Sequence, residues 1–205
     1  MAKTFEFLFD VGTPNGYLTH KVLPAFCAEA GAEAIYVPVL VGGLFKATGN
    51  RAPMLRYADA PAKWAYEQLE FQRFIDAHRI AEYRLNPHFP VNTLLAMRAA
   101  VAAQRAGLLK PYVDAAMAAM WEKELKVDEP EILVAALDEA GLDGAALVAA
   151  AADPDVKAEL AANTERAVER GVFGIPTFFV GTDMFWGKER LAQVKAAIAA
   201  MGDGS

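Results

Sequence analysis

The amino-acid sequence predicts an α/β fold in which a long helical block separates two groups of β-strands. Short apolar runs of the kind found in buried strands occur near both ends of the chain, at residues 4–10, 34–40, 177–180 and 184–186. From about residue 61 to residue 170, apolar side chains instead recur every three to four positions, as they do along one face of a helix. The change of period therefore divides the chain into three parts.

The first part predicts a strand-helix-strand unit. Residues 4–10 and 34–40 are the strands. Thr13 followed by Pro14 is typical of a helix start, with a hydroxyl at the N-cap and a proline in the first turn. Gly31 supplies the helix stop. Because the connection is a crossover helix, we expect the two strands to run parallel.

The last part predicts a strand-strand-helix unit. Gly181-Thr182-Asp183 separates the strands at 177–180 and 184–186 and is typical of a hairpin turn. We expect the last helix to begin with Lys188-Glu189, directly after Gly187. Its apolar stripe consists of Leu191, Val194, Ile198 and Met201.

The whole order, β-α-β, helices, β-β-α, is that of a thioredoxin fold interrupted by an all-helical inserted domain. We expect residues 1–45 and 172–205 to form the split thioredoxin-like domain, and residues 46–171 to form the helical insertion with its connecting segments. Ile175-Pro176-Thr177 agrees with this order, because thioredoxin folds carry a cis proline just ahead of this strand. The sequence itself leaves cis and trans open.

The composition narrows the classes of function. The chain has 205 residues, 55% of them hydrophobic, and its 20 Lys and Arg against 26 Asp and Glu give a formal net charge of −6. Such a chain is globular. It has no block of Lys and Arg for nucleic acid or an anionic membrane surface, and no apolar stretch near the roughly 20 residues of a membrane span. We therefore expect neither nucleic acid nor a membrane as a partner.

Cys27 is the one cysteine in the sequence. It excludes an intramolecular disulfide and a Cys-x-x-Cys redox pair, and it fits a reducing compartment. Its position on the apolar side of the predicted first helix favours a core residue. The first residues alternate between apolar and polar, unlike a signal peptide. These features predict a cytoplasmic protein.

Five short segments are specific when taken together and in order. They are residues 9–18 (FDVGTPNGYL), Gly49-Asn50 followed by Lys63-x-x-Tyr66, and residues 89–98, 172–177 and 185–191. In this order they resemble the motifs of the 2-hydroxychromene-2-carboxylate isomerases and of the kappa-class glutathione transferases. The resemblance spans nearly the whole chain.

The resemblance implies a glutathione-dependent isomerase of aromatic catabolism. Glutathione is the implied cofactor, and a small aromatic substrate, an aromatic 2-oxo acid or a hemiketal, is the implied partner. A kappa-like glutathione transferase and a non-catalytic, glutathione-binding thioredoxin-fold protein remain open as alternatives. The family also suggests a homodimer.

Thr13 is the implied catalytic residue. It stands at the predicted N-terminus of the first helix, where free backbone N–H groups and the positive end of the helix dipole favour an anion. The family usually has Ser at this position. By resemblance, the Thr13 hydroxyl faces the glutathione sulfur and stabilises its thiolate. The alternative is that Thr13 only caps the helix.

Six residues are implied to bind glutathione. Ile175 and Pro176 offer backbone groups to its cysteinyl part, in a short antiparallel pairing with an exposed strand edge. Glu189 corresponds to the acid that pairs with the γ-glutamyl ammonium, and the alternative is that it is only a first-turn acid favoured by the helix dipole. Lys188 is a candidate for the γ-glutamyl carboxylate. Asn50 and Lys63 match the expected partners of the carboxylates, and Lys63 alone would be interpreted as a solvated surface charge.

Four further residues are candidates for the substrate pocket, although ordinary structural roles also fit them: Asn15, Tyr66, Asn92 and Trp186. Gly16 is expected to be no more than a tolerated small residue. The three histidines are far apart and no cluster of Cys or carboxylates accompanies them, so we expect no metal site.

Overall fold

The structure is a computed structural model, which describes residues 2–202. Along the chain, the strands and helices are β1 (Lys3–Phe9), α1 (Pro14–Ala30), β2 (Ala32–Pro38), α2 (Val41–Thr48), α3 (Pro53–Arg56), α4 (Pro61–His78), α5 (Leu94–Arg105), α6 (Leu109–Trp121), α7 (Pro130–Glu139), α8 (Gly144–Ala150), α9 (Pro154–Glu169), β3 (Thr177–Val180), β4 (Asp183–Trp186) and α10 (Leu191–Ala200). Both the α/β class and the predicted order of elements are confirmed.

The four strands form one sheet in the order β2-β1-β3-β4. Strands β1 and β2 are parallel, as the crossover helix predicts, whereas β3 is antiparallel to both β1 and β4. Leu8 pairs with Val37 on one side and with Thr177 on the other, and Thr177 pairs with Trp186. The ends of β1, β2 and β4 and the start of β3 therefore lie at one edge, which we call the site edge of the sheet.

The two faces of the sheet carry different cores because side chains alternate along a strand. Phe5, Phe7 and Phe9 of β1 belong to the larger core, which includes buried residues of α1, α5, α6 and α10. Leu8 points to the other face, where a smaller core includes Ala167 of α9 and Phe179 of β3. Each fully buried Phe or Leu side chain among these contributes on the order of 2 kcal/mol.

Several predicted boundaries are wrong. Strand β1 spans Lys3–Phe9 instead of residues 4–10, β2 ends at Pro38 instead of residue 40, and β4 begins at Asp183 instead of residue 184. Strand β2 begins at Ala32, two residues before the predicted start, because Gly31 adopts a left-handed conformation (φ 60°) and the chain pairs with Lys3 at once. Helix α10 begins at Leu191 and not at Lys188, because residues Lys188–Arg190 form a 3-10 turn.

Helices α2 to α9 lie between β2 and β3 in the chain. We propose that residues 46–171 form the inserted unit, although α2 already begins at Val41. None of the helices within residues 2–202 combines the length and apolar character needed to cross a membrane.

Candidate active site

The site edge brings together segments that are far apart in the sequence. Residues 10–13, which we call the β1–α1 loop, follow β1, and residues 39–41 follow β2. Ile175 and Pro176 directly precede β3, and their peptide bond is cis. Gly187 follows β4, and its N–H donates to the Pro176 carbonyl at 2.9 Å.

Hydrogen bonds fix both central peptide units of the β1–α1 loop, Asp10–Val11 and Val11–Gly12. The Asp10 carbonyl accepts from the backbone N–H of Thr13 at 3.2 Å and from its hydroxyl at 3.0 Å. The Val11 N–H donates to the sulfur of Met97 at 3.4 Å, and the Val11 carbonyl accepts from the indole of Trp121 at 2.7 Å. Met97 and Trp121 are fully buried in α5 and α6. Both partners belong to buried helices, so α5 and α6 support the loop from beneath.

The Asp10 carboxylate is fully buried beneath the loop. It accepts from the N–H groups of Gly12 and Val41, each at 2.9 Å, and from the hydroxyl of Thr93 at 3.0 Å. Burial raises the pKa of Asp10, and the three hydrogen bonds oppose that shift. A Cβ at Gly12 would lie 2.4 Å from Cγ2 of Thr93, so any larger residue there would displace the Thr93 side chain that donates to Asp10.

Thr13 occupies the N-cap position of α1, as predicted, but its side chain does not cap the helix. The hydroxyl turns back to the Asp10 carbonyl instead, so it takes none of the free N–H groups of the first turn. The expectation for Gly16 is wrong: a Cβ at this position would lie 2.4 Å from the Thr13 hydroxyl oxygen. Gly16 therefore makes the room that the hydroxyl needs.

Asn15 lies in the first turn of α1 and is partly buried. Its side-chain oxygen, Oδ1, is buried and has no hydrogen-bond partner in the described part of the chain. A buried acceptor without a donor costs free energy, which makes Asn15 a place where a ligand N–H would be favoured.

The Ile175-Pro176 segment differs from the expectation in one respect. Strand β3 is an inner strand, paired on both sides, so it has no exposed edge along its length. Ile175 lies beyond the last paired residue, Thr177, whose hydroxyl donates to the Gly174 carbonyl at 2.7 Å. Pairing with an extended ligand is therefore possible only at Ile175 itself, ahead of the ladder.

Asn50 and Lys63 differ in how firmly they are held. The Asn50 side-chain nitrogen donates to the Phe173 carbonyl at 2.7 Å, and its oxygen accepts from the Arg56 guanidinium. Asn50 thus fixes the segment that leads to Ile175. Lys63 is exposed on α4, with its ammonium 4.5 Å from the centre of the Tyr57 ring.

Lys188 is buried, with only 3% of its surface exposed, although it lies at the site edge. Its ammonium pairs with the carboxylate of Glu189, which is half exposed. It also lies 5.5 and 5.2 Å from the ring centres of Phe71 and Phe74 on α4. The Lys188–Glu189 pair thus satisfies both charges within the protein.

The three other pocket candidates lie in separate places. Trp186 ends β4 at the site edge, partly exposed, with its ring 4.9 Å from that of Phe173. Asn92 is partly exposed, and its side-chain oxygen accepts from the Leu94 N–H at 3.0 Å, next to Thr93. Tyr66 points into solvent from α4.

Two open clefts lie away from these residues. One, of about 340 Å³, is between α6 and α7 and includes Asp114 in its lining. The other, of about 250 Å³, lies between β1, β2 and α9. Neither includes a residue predicted for the site.

His20 and Cys27 both lie on α1, away from its first turn. His20 is buried, with its ring nitrogens 2.9 Å from the Tyr36 hydroxyl and 2.8 Å from the Asp114 carboxylate, and burial lowers its pKa. Cys27 is partly buried against the core, and burial raises its pKa. Within residues 2–202, no three His, Cys, Asp or Glu side chains are grouped so that they could hold a metal ion.

Sequence reasoning missed the residues that hold the β1–α1 loop. Asp10 and Thr93 lie inside the quoted motifs, and an acid that directly follows a buried strand is a usable signal. Met97 also lies inside a quoted motif, at residues 89–98, but its apolar type favours an ordinary core role. Trp121 lies outside the motifs and matches an ordinary apolar helix face, so nothing local distinguishes it from other core residues.

Known proteins resemble this chain over nearly its full length. The family model of the DSBA-like thioredoxin domain matches residues 4–199. The 2-hydroxychromene-2-carboxylate isomerase of Sphingobium xenophagum is 28% identical over 193 residues, which cover 93% of this chain and 95% of the relative. Glutathione S-transferase kappa 1 of Homo sapiens is 25% identical over 209 residues, covering 93% and 88% respectively.

A solved structure of a 2-hydroxychromene-2-carboxylate isomerase has the same fold. It superposes with a TM-score of 0.81 at 23% identity, covering 96% of this chain and 94% of that one. The resemblance stated from the motifs is thereby confirmed.

Proposed function

Because the chain belongs to the family of the DSBA-like thioredoxin domain, we propose that it uses this fold as a glutathione-dependent isomerase similar to 2-hydroxychromene-2-carboxylate isomerase. Its substrate in this proposal is a small aromatic 2-oxo acid or hemiketal. When bound, glutathione supplies a thiolate that adds reversibly to an electrophilic carbon of the substrate and leaves unchanged. We further propose a cytoplasmic homodimer.

Several features of the site edge fit glutathione, which has one thiol, two amide N–H groups, one ammonium and two carboxylates. Thr13 does not cap the first turn of α1, so the N–H groups of that turn remain available to a sulfur anion. On α4, the contact of the Lys63 ammonium within residues 2–202 is with the Tyr57 ring. Such a contact is worth roughly 0.5–1 kcal/mol, so turning the ammonium towards a carboxylate costs little.

Redox chemistry of the protein's own thiols is not supported. The sequence has one cysteine, and it lies deep in α1 with a pKa that burial raises. At the start of α1, where a redox thioredoxin fold has its reactive thiol, this chain has Thr13. The reactive sulfur in this proposal therefore comes from glutathione.

The observation that carries the proposal is the double hydrogen bond at the Asp10 carbonyl. This oxygen accepts both from the hydroxyl and from the backbone N–H of Thr13. If the hydroxyl rotates to donate to a sulfur anion, the carbonyl keeps the N–H as a donor. Thr13 can thus change its acceptor without leaving an unpaired buried group.

This exchange favours the anionic form of the sulfur. A hydrogen bond to a charged group contributes about 1.5–3 kcal/mol, compared with about 0.5–1.5 kcal/mol for a neutral pair. The difference of roughly 1 kcal/mol, together with a few tenths of a kcal/mol from the helix dipole, corresponds to a thiol pKa lower by about one unit. Thr13 is the catalytic residue in this proposal.

The other residues bind and orient. Ile175 offers its backbone ahead of the β3 ladder, and Asn50 fixes the segment that leads to it. The Lys188–Glu189 pair can open to a ligand end that carries both charges, with its ammonium on Glu189 and its carboxylate on Lys188. Asn15, Tyr66, Asn92 and Trp186 are the proposed contacts for the aromatic substrate.

A kappa-like glutathione transferase is the second candidate, favoured by the match to the human kappa enzyme. It needs the same activated sulfur, but the sulfur stays on the product. Mass spectrometry separates the two: a stable conjugate indicates the transferase, and glutathione recovered unchanged indicates the isomerase.

The decisive assay measures conversion of 2-hydroxychromene-2-carboxylate with and without glutathione. We expect turnover only with glutathione, and a loss of about 10- to 100-fold in Thr13→Val, which removes the hydroxyl at constant shape. Thr13→Ser, the matched control, restores the donor and most of the rate. Turnover without glutathione would exclude the proposal. Glutathione binding without turnover would support the third reading, a non-catalytic binding protein.

A further inference from the structure

The two peptide units between Asp10 and Gly12 have all four of their hydrogen-bonding groups paired. The Asp10 carbonyl accepts from Thr13, and the Val11 N–H donates to the Met97 sulfur. In the second unit, the Val11 carbonyl accepts from the Trp121 indole, and the Gly12 N–H donates to the Asp10 carboxylate at 2.9 Å. The Val11–Gly12 peptide plane is thus held from opposite ends, by Trp121 and by Asp10.

Trp121 is itself fixed by its surroundings. It is fully buried at the end of α6, and its ring stacks on Tyr83 at 6.0 Å and contacts Phe89 at 5.6 Å between centres. Its own backbone carbonyl accepts from the Arg84 N–H at 2.6 Å. Its indole N–H has one acceptor, the Val11 carbonyl, which lies 110 residues away in the sequence.

We infer that Trp121 is a positioning residue for Thr13. Trp121 acts through the Val11–Gly12 peptide and thereby sets the position of the Thr13 hydroxyl. The inference rests on the role proposed above for Thr13. Without the indole N–H, the Val11 carbonyl is buried without a donor, and the peptide turns to find one. That rotation carries the Gly12 N–H away from Asp10 and changes the direction of the chain that enters Thr13.

The sequence offers a matched pair of variants. Trp121→Phe keeps an aromatic ring and removes the N–H donor. Tyr112→Phe removes a buried donor of the same kind from the same helix, since the Tyr112 hydroxyl donates to the Ala96 carbonyl at 2.6 Å. Tyr112 is also fully buried, but its hydrogen bond lies within the helices and does not reach the loop. If the Trp121 hydrogen bond only stabilised the fold, the two variants would have equal effects on hydrogen exchange of the Gly12 amide.

The first measurement uses the protein without glutathione, by hydrogen exchange of individual amides observed by NMR. We expect the Gly12 amide to exchange about tenfold faster in Trp121→Phe and at the wild-type rate in Tyr112→Phe. Equal exchange in both variants would overturn the inference. Because no glutathione is present, this result does not depend on the proposed function.

The second measurement is the thiol pKa of bound glutathione, followed by the ultraviolet absorbance of its thiolate. We expect Trp121→Phe to raise this pKa by a few tenths of a unit or more and Tyr112→Phe to leave it unchanged. If the wild-type protein leaves the thiol pKa of glutathione at its free value, the proposed role of Thr13 is wrong. The exchange experiment alone then tests whether Trp121 positions the β1–α1 loop.

A second variant covers the case in which Trp121→Phe does not fold. Met97→Leu conserves volume and removes the sulfur that accepts from the Val11 N–H. We expect faster exchange at Val11 and a smaller shift of the thiol pKa in the same direction. Unchanged exchange at Val11 would count against the inference.

Discussion

The two sides of the proposed glutathione site are held in different ways. On one side, the β1–α1 loop has its central backbone groups bonded to fully buried partners on α5 and α6. On the other side, α3 buries no residue and α4 buries only Ile75, and Lys63 rests on a single ring. One side is fixed before a ligand arrives, and the other is open to rearrangement.

The difference suggests a division of work. A group that changes a thiol pKa must keep one orientation, which needs a rigid support. A charged group that holds a flexible carboxylate can stay mobile, because an exposed ion pair contributes only about 0–1 kcal/mol. Changes in the loop should therefore alter kcat, whereas changes on α3 and α4 should alter KM.

The largest effect is expected for Asp10→Asn. The amide keeps one acceptor but places an NH2 donor against groups that are themselves donors, so buried hydrogen bonds are lost. We expect a loss of about 3 kcal/mol or more in the free energy of unfolding, measured by urea denaturation.

Asp143→Asn is the matched control. Asp143 is an exposed N-cap of α8, where asparagine serves equally well, so we expect a change below about 0.5 kcal/mol. Equal losses of unfolding free energy in the two variants would show that the Asp10 hydrogen bonds contribute no more to stability than an exposed N-cap.

Gly16→Ala should separate activity from stability. Alanine normally stabilises a helix by about 1 kcal/mol relative to glycine, but here its Cβ displaces the Thr13 hydroxyl. We expect kcat to fall by about tenfold while the melting temperature is kept or raised. Gly42→Ala in α2, where a Cβ has open space, is the control and should leave kcat unchanged. Wild-type kcat in Gly16→Ala would contradict the importance of the hydroxyl position.

Lys63→Ala tests the open side. We expect the KM for glutathione to rise by up to about fivefold, with kcat unchanged and the difference smaller at high salt. Lys157→Ala on α9 removes an equally exposed charge far along the chain and should change neither constant. A change of kcat in Lys63→Ala would contradict the proposal that α3 and α4 affect binding of glutathione and not the chemical step.

The smallest effect concerns His20, which links α1 to Tyr36 of β2 and to Asp114 of α6. Burial is the largest cause of the lowered pKa of His20, and the charges of Lys110 and Lys21 add to it. The hydrogen bond and charge of Asp114 oppose this shift without reversing it, so the folded state binds a proton less readily than the unfolded chain. The stability that this histidine contributes is therefore present above about pH 6.5 and is lost as the pH falls below it.

We expect the free energy of unfolding to fall from pH 7 to pH 5 more steeply in wild type than in His20→Gln. Asp114 does not itself titrate between pH 5 and pH 7. Hydrogen bonds from His20 and Lys110 outweigh its burial and lower its pKa to about 2. Parallel pH profiles would show that His20 does not titrate in this range.

Local signals in the sequence account for much of the fold. Thr13-Pro14 and Gly31 bracket α1, and Gly181-Thr182 turns β3 into β4, because caps and turns are decided by neighbouring residues. Two of the three partners of the Asp10 carboxylate lie 31 and 83 residues away, at Val41 and Thr93. No periodicity encodes such contacts.

Lys188 is a second residue whose surroundings could not be predicted from the local sequence. Its position in a motif makes it a candidate partner of a glutathione carboxylate, and nothing in the sequence indicates that packing under Phe71 and Phe74 of α4 buries it. Residue type and order thus predicted which elements form the site edge. The burial and pairing of each side chain depended on contacts between elements that are distant in the chain.

The central claim is that the Thr13 hydroxyl stabilises the thiolate of bound glutathione. The most direct test is a pH titration of the thiolate absorbance of glutathione bound to wild type, Thr13→Val and Thr13→Ser. Burial raises the pKa of Cys27, so its own titration lies at higher pH. We predict a thiol pKa about one unit lower in wild type and Thr13→Ser than in Thr13→Val. The same pKa in all three proteins would contradict the account.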